Sequence, residues 1–361
     1  MSLDALRGFD MFWIIGWGKI WHHLAKLTDW PFFNWWSMQM THVEWEGFHF
    51  YDLIFPLFLF IAGISFPFSL EKSLQKGISK KRLYWRIIKR ALILVFLGLV
   101  FNGFLKFNLN DQRYTGVLIV IGLAWMFGAF IFINTKLTGR ILWCAGILIF
   151  HWLLLTFVQA PDFPHAPRFS PEGSIACYID RTFLPGKLYN GNFDPAGLSV
   201  VVSAIATALL GMMTGMFVKT AKQGLTPMKK AGYMTVAGIG LVFIGLLWGL
   251  ILPIAKPLWS SSFVCLAGGL SLILFALFYW IIDVLGYRRW TLFFTVIGMN
   301  SITIYMAQSV IHFHFTSNFL FGGLINLFPE TWLPFLNSLM YITVCWLFLY
   351  FLYRQKIFLK V

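Results

Sequence analysis

Between positions 42 and 52 the chain sets His42, Glu44, Trp45, Glu46, Gly47, His49 and Asp52 in one short stretch. A histidine beside a carboxylate is equipped to act as a general base, because the carboxylate orients the ring and stabilises its charged form. The same ring can instead carry an acyl group as a nucleophile. Asp52 has two readings: it orients His42, or it caps the helix that starts after it. His22 and His23 stand upstream, so a zinc site comes into question. No HExxH or comparable ligand spacing is present, and no metal is expected. Surface histidines are common, so the block alone names no reaction.

Polar groups inside apolar segments are costly in lipid and tend to mark sites or pathways. Asp4, Arg7, Asp10 and Lys19 lie in the first such segment, where an Asp–Arg lock at the membrane face is the plain reading. Gly298-Met299-Asn300-Ser301 sits inside a later one, with Gln308 two turns on. Asn300 and Ser301 can donate hydrogen bonds to an oxyanion, or simply join helices. No Walker loop or GxGxxG is present, which argues against an ATPase or a Rossmann cofactor site.

Helices must position these groups. The 361 residues are 59% hydrophobic and 12% charged, with a mean hydropathy of +0.74, too little polar surface for a water-soluble domain. A helix needs about 20 apolar residues to cross a bilayer, which predicts about ten spans. They fall near Ala5–Leu24, Phe50–Leu70, Trp85–Leu105, Thr115–Ile133 and Ile141–Val158, then Gly197–Val218, Ala231–Leu252, Ser260–Ile282, Thr291–Phe313 and Leu333–Leu352. Phe319–Phe328 is too short to cross and reads as interfacial or re-entrant. The first apolar stretch lacks a small-residue cleavage site and is expected to remain as a span. The fold expected is an all-α polytopic bundle, a single domain over 1–361, with outer loops at about 25–49 and 159–196.

Basic residues orient it. Every even-numbered connection is basic, and with Arg7 and the tail (Arg354, Lys356, Lys360) these hold 20 of the 28 Lys and Arg. Positive loops stay cytoplasmic, so both termini are expected there and the 25–49 loop outside. That placement accounts for the +14 charge without a nucleic-acid partner. Four cysteines, none in CxxC spacing, indicate neither a disulfide framework nor a metal site. Ser203, Thr207, Gly211 and Gly215 form a small-residue stripe, and Gly245 with Gly249 another, suited to close helix approach. Asp194-Pro195 reads as a cap opening the sixth span, and Pro56 and Pro67 are expected to kink the second or free carbonyls there.

At these residues the chain resembles a known family. Ser2-Leu3-Asp4-Ala5-Leu6-Arg7-Gly8 is similar to the opening of the heparan-α-glucosaminide N-acetyltransferase family of transmembrane acyltransferases and its bacterial relatives. His42-x-x-Trp45-x-Gly47 followed by Asp52-Leu53-x-Phe55-Pro56 resembles its most characteristic block. Tyr178-Ile179-Asp180-Arg181, Asp194-Pro195-x-Gly197, Lys256-x-Leu258-Trp259-Ser260, Asp283-Val284 and the Gly298–Ser301 stretch follow in order. The likeness covers the ten-helix membrane portion. It departs at Ile119-Val120, where the family often has Gln-Arg, and at Gln308, where the lysosomal type has histidine; Glu44 and Glu46 are outside the shared pattern.

The resemblance implies acetyl transfer from cytoplasmic acetyl-CoA to an amino sugar or glycan on the outer face of a bacterial inner membrane. His42 maps to the family's active histidine. Arg82, Arg86, Lys89 and Arg90 would hold the phosphates of coenzyme A, and Trp45, Asp180, Lys256 and Trp259 would contact the acceptor. The Lys/Arg count independently puts His42 on the outer side. A homodimer is left open. The competing class is a multi-pass transporter for a small solute, which intramembrane charges and broken helices suit; no internal repeat relating the two halves is evident. A purely structural membrane protein leaves the His42–Asp52 block unexplained.

Overall fold

The computed structural model describes residues 1–359; Lys360, counted above among the basic tail residues, and Val361 lie outside the described residues. The chain is helical throughout: α1 (Ser2–Phe12), a π turn (Trp13–Trp17), α2 (Gly18–Thr28), α3 (Pro31–Gln39), α4 (Ile54–Gln75), α5 (Lys80–Phe101), α6 (Val117–Asn134), α7 (Leu137–Phe157), α8 (Ile175–Phe183), α9 (Leu198–Lys219), α10 (Pro227–Trp248), α11 (Ser261–Tyr279), α12 (Thr291–Met299), α13 (Ser301–Val310), α14 (Phe313–Ile325) and α15 (Leu333–Arg354). Two isolated bridges, Arg113 with Gly186 and Gln159 with Ser174, are the extended pairings among the described residues.

Among the described residues, seven helices are long and apolar enough to cross a membrane: Phe50–Gln75, Val117–Asn134, Leu137–Phe157, Leu198–Lys219, Pro227–Trp248, Ser261–Val284 and Glu330–Arg354. The other three expected spans are helical but interrupted or charged. The first bends at the π turn, where Gly16 takes φ 139°. The third begins at Lys80 and carries Lys81, Arg82, Arg86, Lys89 and Arg90 in its first half. The ninth breaks at Asn300 into α12 and α13, of nine and ten residues. The short segment 319–328 belongs to α14 and the turn after it.

The chain packs as two compact units. One comprises residues 1–43, 49–54 and 278–359. In it α1 lies directly on α12: a Cβ on Gly8 would fall 1.7 Å from the Phe294 carbonyl oxygen, and one on Gly298 2.0 Å from that of Asp4. Edge-to-face rings fill the seam, with Phe12 at 5.3 Å from Phe293. Asp283 anchors the start of α1 by accepting a hydrogen bond from Ser2 Oγ.

The second unit comprises residues 44–48 and 55–277. Here α4 and α9 touch backbone to backbone, as the stripe through Ser203, Thr207, Gly211 and Gly215 predicts. A Cβ on Gly211 would meet the Phe60 carbonyl oxygen at 2.1 Å, and one on Gly215 that of Ile64 at 2.3 Å. Gly245 is used the same way against Ser262 and Leu266 of α11, whereas Gly249, paired with it in the sequence reading, ends α10 and faces Ile254. Pro56 sits in the first turn of α4, where no helical N–H is needed, and Pro67 lies inside that helix with its carbonyl taken by Lys219 Nζ at 3.1 Å. Asp194 is not the cap of α9, a correction to the sequence reading: the helix starts at Leu198 after Gly197. Its carboxylate instead takes Arg113 at 2.6 Å and Thr115 Oγ1 at 2.6 Å. Burial pushes this acid up, but Arg113 and Thr115 outweigh it and hold Asp194 below the usual carboxylate range.

Gly211→Ala is expected to destabilise the protein by about 1–3 kcal/mol, the ordinary cost of overpacking. Gly232→Ala, with nothing within 4 Å of its Cβ, should leave the melting temperature in detergent unchanged or slightly raised. Equal melting temperatures for both variants would contradict the α4–α9 contact.

Candidate functional site

The turn holding His42 follows α3, a helix opened by Pro31 at its first position, where a missing N–H costs nothing. Trp13 packs edge to face on Trp36 and, at 5.0 Å, on Phe50, while the Trp36 and Phe50 rings are tilted against each other. The chain re-enters this unit at His49 and makes a 3-10 turn, Phe50–Leu53, before α4. Asp52 lies in that turn with its side chain 1% exposed. Its Oδ1 is 2.8 Å from His42 Nδ1, while Oδ2 accepts from the backbone N–H of His49 at 3.1 Å and of Val43 at 3.3 Å. Asp52 therefore sits against the His42 ring and closes the 3-10 turn that leads into α4, with all three of these donors preceding it in the chain.

An ionised carboxylate only accepts, so the His42 proton belongs on Nδ1 and the lone pair on Nε2. The His42 side chain is 53% exposed, with its ring centred 4.9 Å from that of Tyr51. A half-exposed imidazole held in one tautomer by a buried acid can accept a proton, or attack a carbonyl carbon, through Nε2. His49 turns the other way, its Nδ1 3.1 Å from the Thr41 carbonyl oxygen. Glu44 and Glu46 are exposed; the carboxylate on the His42 ring is that of Asp52.

The acids and bases of α1 divide. Asp4 pairs with Arg7 at 3.3 Å, but Asp10 does not join that lock. Asp10 is fully buried, and neither carboxylate oxygen accepts a hydrogen bond among the described residues. Sequence reasoning grouped Asp10 with Arg7 on spacing alone; three residues along a helix brings two side chains to one face but does not decide which way each turns.

Asn300 and Ser301 are not brought to His42. Gly298 packs on Asp4, whereas Met40 and Tyr51 pack at Gly18. Fourteen residues of helix separate those levels, roughly 20 Å at 1.5 Å per residue. The Asn300 amide is also committed, donating to the Ile357 carbonyl at 3.1 Å and accepting from Thr303 and from Leu359 N–H. Asn300 joins the helix break to the C-terminal tail.

In the second unit, Arg82, Arg86 and Lys89 are exposed along one face of α5. Arg90 turns inward, its guanidinium 4.1 Å from the Trp125 ring centre, so the four cations do not converge. Trp45 donates its indole N–H to the Phe169 carbonyl and packs edge-on against Phe193 at 4.9 Å. Gly47 N–H donates to the Ile254 carbonyl at 2.8 Å, which sets Trp45 beside the turn bearing half-buried Lys256 and Trp259. Trp259 is fully buried with φ +48°, donating to Thr207 Oγ1 at 3.2 Å. Asp180 is 2% exposed and caps α9 from outside that helix, accepting from Leu198 N–H at 2.8 Å. Burial pushes its carboxyl up to about 7. Both Asp180 and Trp259 are thus spent on the fold.

Asp52→Ala would leave two backbone N–H groups and the imidazole without their acceptor, at about 1–3 kcal/mol each. A clear drop in melting temperature is expected, smaller for Asp52→Asn, which keeps one acceptor oxygen. No change in the alanine variant would show that this carboxylate does not hold the turn.

The chain was compared with known proteins. The family model described as heparan-alpha-glucosaminide N-acetyltransferase, catalytic, matches residues 1–183, just over half of the 361. The human heparan-alpha-glucosaminide N-acetyltransferase is 26% identical over 428 aligned positions, covering 100% of this chain and 59% of the human protein. The mouse protein of the same name is 25% identical, covering 99% of this chain and 60% of its own length. The chain thus spans about three fifths of the length of these relatives. The matched region contains both His42 and Asp52, in a chain whose helices are built for a membrane, and on that match the chain belongs to the heparan-α-glucosaminide N-acetyltransferase catalytic family.

Proposed function

We propose that this protein is a transmembrane acetyltransferase that moves the acetyl group of cytoplasmic acetyl-CoA to an amino sugar or glycan on the far side. The observation that carries the reading is the His42–Asp52 pair: a buried carboxylate on Nδ1 and a half-exposed ring. In the reaction the acceptor's N–H or O–H bond and the thioester C–S bond break. An amide or ester C–N or C–O bond forms, and the sulfur leaves as the coenzyme A thiol. His42 Nε2 takes the acceptor's proton, or first takes the acetyl group itself; Asp52 holds the ring and stabilises the imidazolium that results.

Arg82, Arg86 and Lys89 are the proposed partners of the donor's phosphates, supported by their exposure on one face of α5. Arg90, over Trp125, would act there by charge rather than by contact. Trp45 and Lys256, on neighbouring stretches of the second unit, are the proposed acceptor contacts. The chain is read as one membrane domain with ten crossings in a bacterial inner membrane. Both termini are then cytoplasmic and the His42 turn outside, supported by the basic even-numbered connections.

One observation favours a second reading, a transporter for a small solute: among the described residues Asp10 of α1 is a buried acid without a hydrogen-bond partner. Purified protein incubated with labelled acetyl-CoA and glucosamine separates the two, since only the acetyltransferase forms acetylated product.

His42→Ala should abolish that product while preserving monodispersity and coenzyme A affinity. Loss of a general base alone typically costs about 10²- to 10⁴-fold in rate, whereas loss of an acyl carrier leaves essentially nothing. Turnover within a few-fold of wild type would remove His42 from the chemistry. For topology, single cysteines placed at positions 42 and 80, in a background lacking the four native ones, should react with impermeant maleimide from opposite sides of sealed vesicles. Labelling from one side would overturn the orientation.

A further inference from the structure

The second unit contains a cavity of about 740 Å³ that the acetyl-transfer reading leaves unused. It forms where α9, α10 and α11 meet the first residue of α7 and the turn of residues 220–226. Its wall is apolar and rich in sulfur, through Met213, Met216, Phe217, Met234 and Leu272. Lys222, Gln223 and Lys229 gather at the turn, and none of the residues lining the cavity is acidic.

The neighbouring lysines are employed elsewhere. Lys219 pairs with Glu71 at 2.6 Å, and Lys230 donates to the Val218 carbonyl at 2.6 Å. Lys229 donates one of its ammonium hydrogens to the Gly224 carbonyl at 3.1 Å, which holds it over the turn, and Lys222 is exposed. Two positive charges therefore stand at the mouth of an apolar chamber. Tyr233, on its wall, begins an exposed apolar face of α10 that continues through Val236, Ile239 and Phe243. In a bilayer that face meets acyl chains, so a lipid tail has a continuous apolar path into the cavity.

We propose that this cavity is a binding site for an anionic phospholipid, its phosphate held by Lys222 and Lys229 and one acyl chain lying along Met213, Met216 and Met234. Basic pockets between membrane helices suit anionic head groups, and unbranched methionines adapt to a flexible chain. Thr214, Thr220, Gln223 and Tyr233 add polar groups to the lining, so coenzyme A, which also carries phosphates, is included as a competitor in the test. The inference is independent of the acetyl-transfer reading.

The test is native mass spectrometry of the detergent-purified protein titrated with dioleoyl phosphatidylglycerol, against dioleoyl phosphatidylcholine. Phosphatidylglycerol should be retained more tightly. Lys222→Gln and Lys229→Gln, both at the surface, should each weaken it about 5-fold, and together about 25-fold. Ala237→Trp, which places an indole in the cavity from an exposed position of α10, should displace the lipid with both lysines present. Equal retention of the two lipids, or unchanged retention in the lysine variants, would overturn the site. Loss in the lysine variants with full retention in Ala237→Trp would mark surface charge rather than a cavity, and also overturn it. Displacement of phosphatidylglycerol by coenzyme A, with the same lysine dependence, would assign the cavity to a nucleotide instead.

Discussion

A carboxylate removed from water must be met by donors, because an unpaired buried ion costs on the order of several kcal/mol. Asp52 meets that condition with groups drawn from three positions: the ring of His42 and the backbone of Val43 and of His49. Val43 and His49 flank the excursion of residues 44–48 into the other unit. The same two oxygens therefore close the neck of that excursion and fix the imidazole at its edge. Positioning of the imidazole is a by-product of satisfying the acid, so the geometry of His42 costs no separate device.

Much of this was readable from residue types. The block from His42 to Asp52 stands out because polar and titratable groups crowd the entrance to an apolar run, and because Asp followed by a helical segment has local capping options. The small-residue stripe through Gly211 and Gly215 was readable for the same reason: its spacing is local and its consequence, close backbone approach, is geometric. What escaped the sequence involves partners far along the chain. Asn300 looks like an oxyanion donor until Ile357 occupies its amide. Asp180 looks like a polar contact in a loop until Leu198, eighteen residues on, takes its carboxylate. Asp194, which reads as a cap, is claimed by Arg113 from another connection. Spacing rules carry no information about such pairings.

The charged groups divide by environment. Basic residues at the start of α5, such as Lys81 and Arg82, remain exposed, whereas the acids Asp10, Asp52, Asp180 and Asp194 are buried. Three of these four accept backbone or side-chain donors and thereby brace a turn. Asp10 alone among them has no such work among the described residues, which is why it invites a second reading of the chain.

The helix break at Asn300 has a consequence for biosynthesis. Its side chain is satisfied by the backbone of residues 357 and 359, which lie 57 and 59 positions further along the chain. The first helix, α1, likewise lies against α12, nearly three hundred residues downstream. The unit carrying His42 therefore cannot be completed before α12 and residue 359 have been synthesised. Its opening segment must wait in the insertion machinery or the bilayer with Gly8 and its neighbours uncovered, whereas residues 55–277 can finish packing first. Assembly of the unit bearing the His42–Asp52 turn thus follows synthesis of its distant partners, and variants that slow synthesis between α1 and α12 would expose the N-terminal helix to quality control before its partner exists.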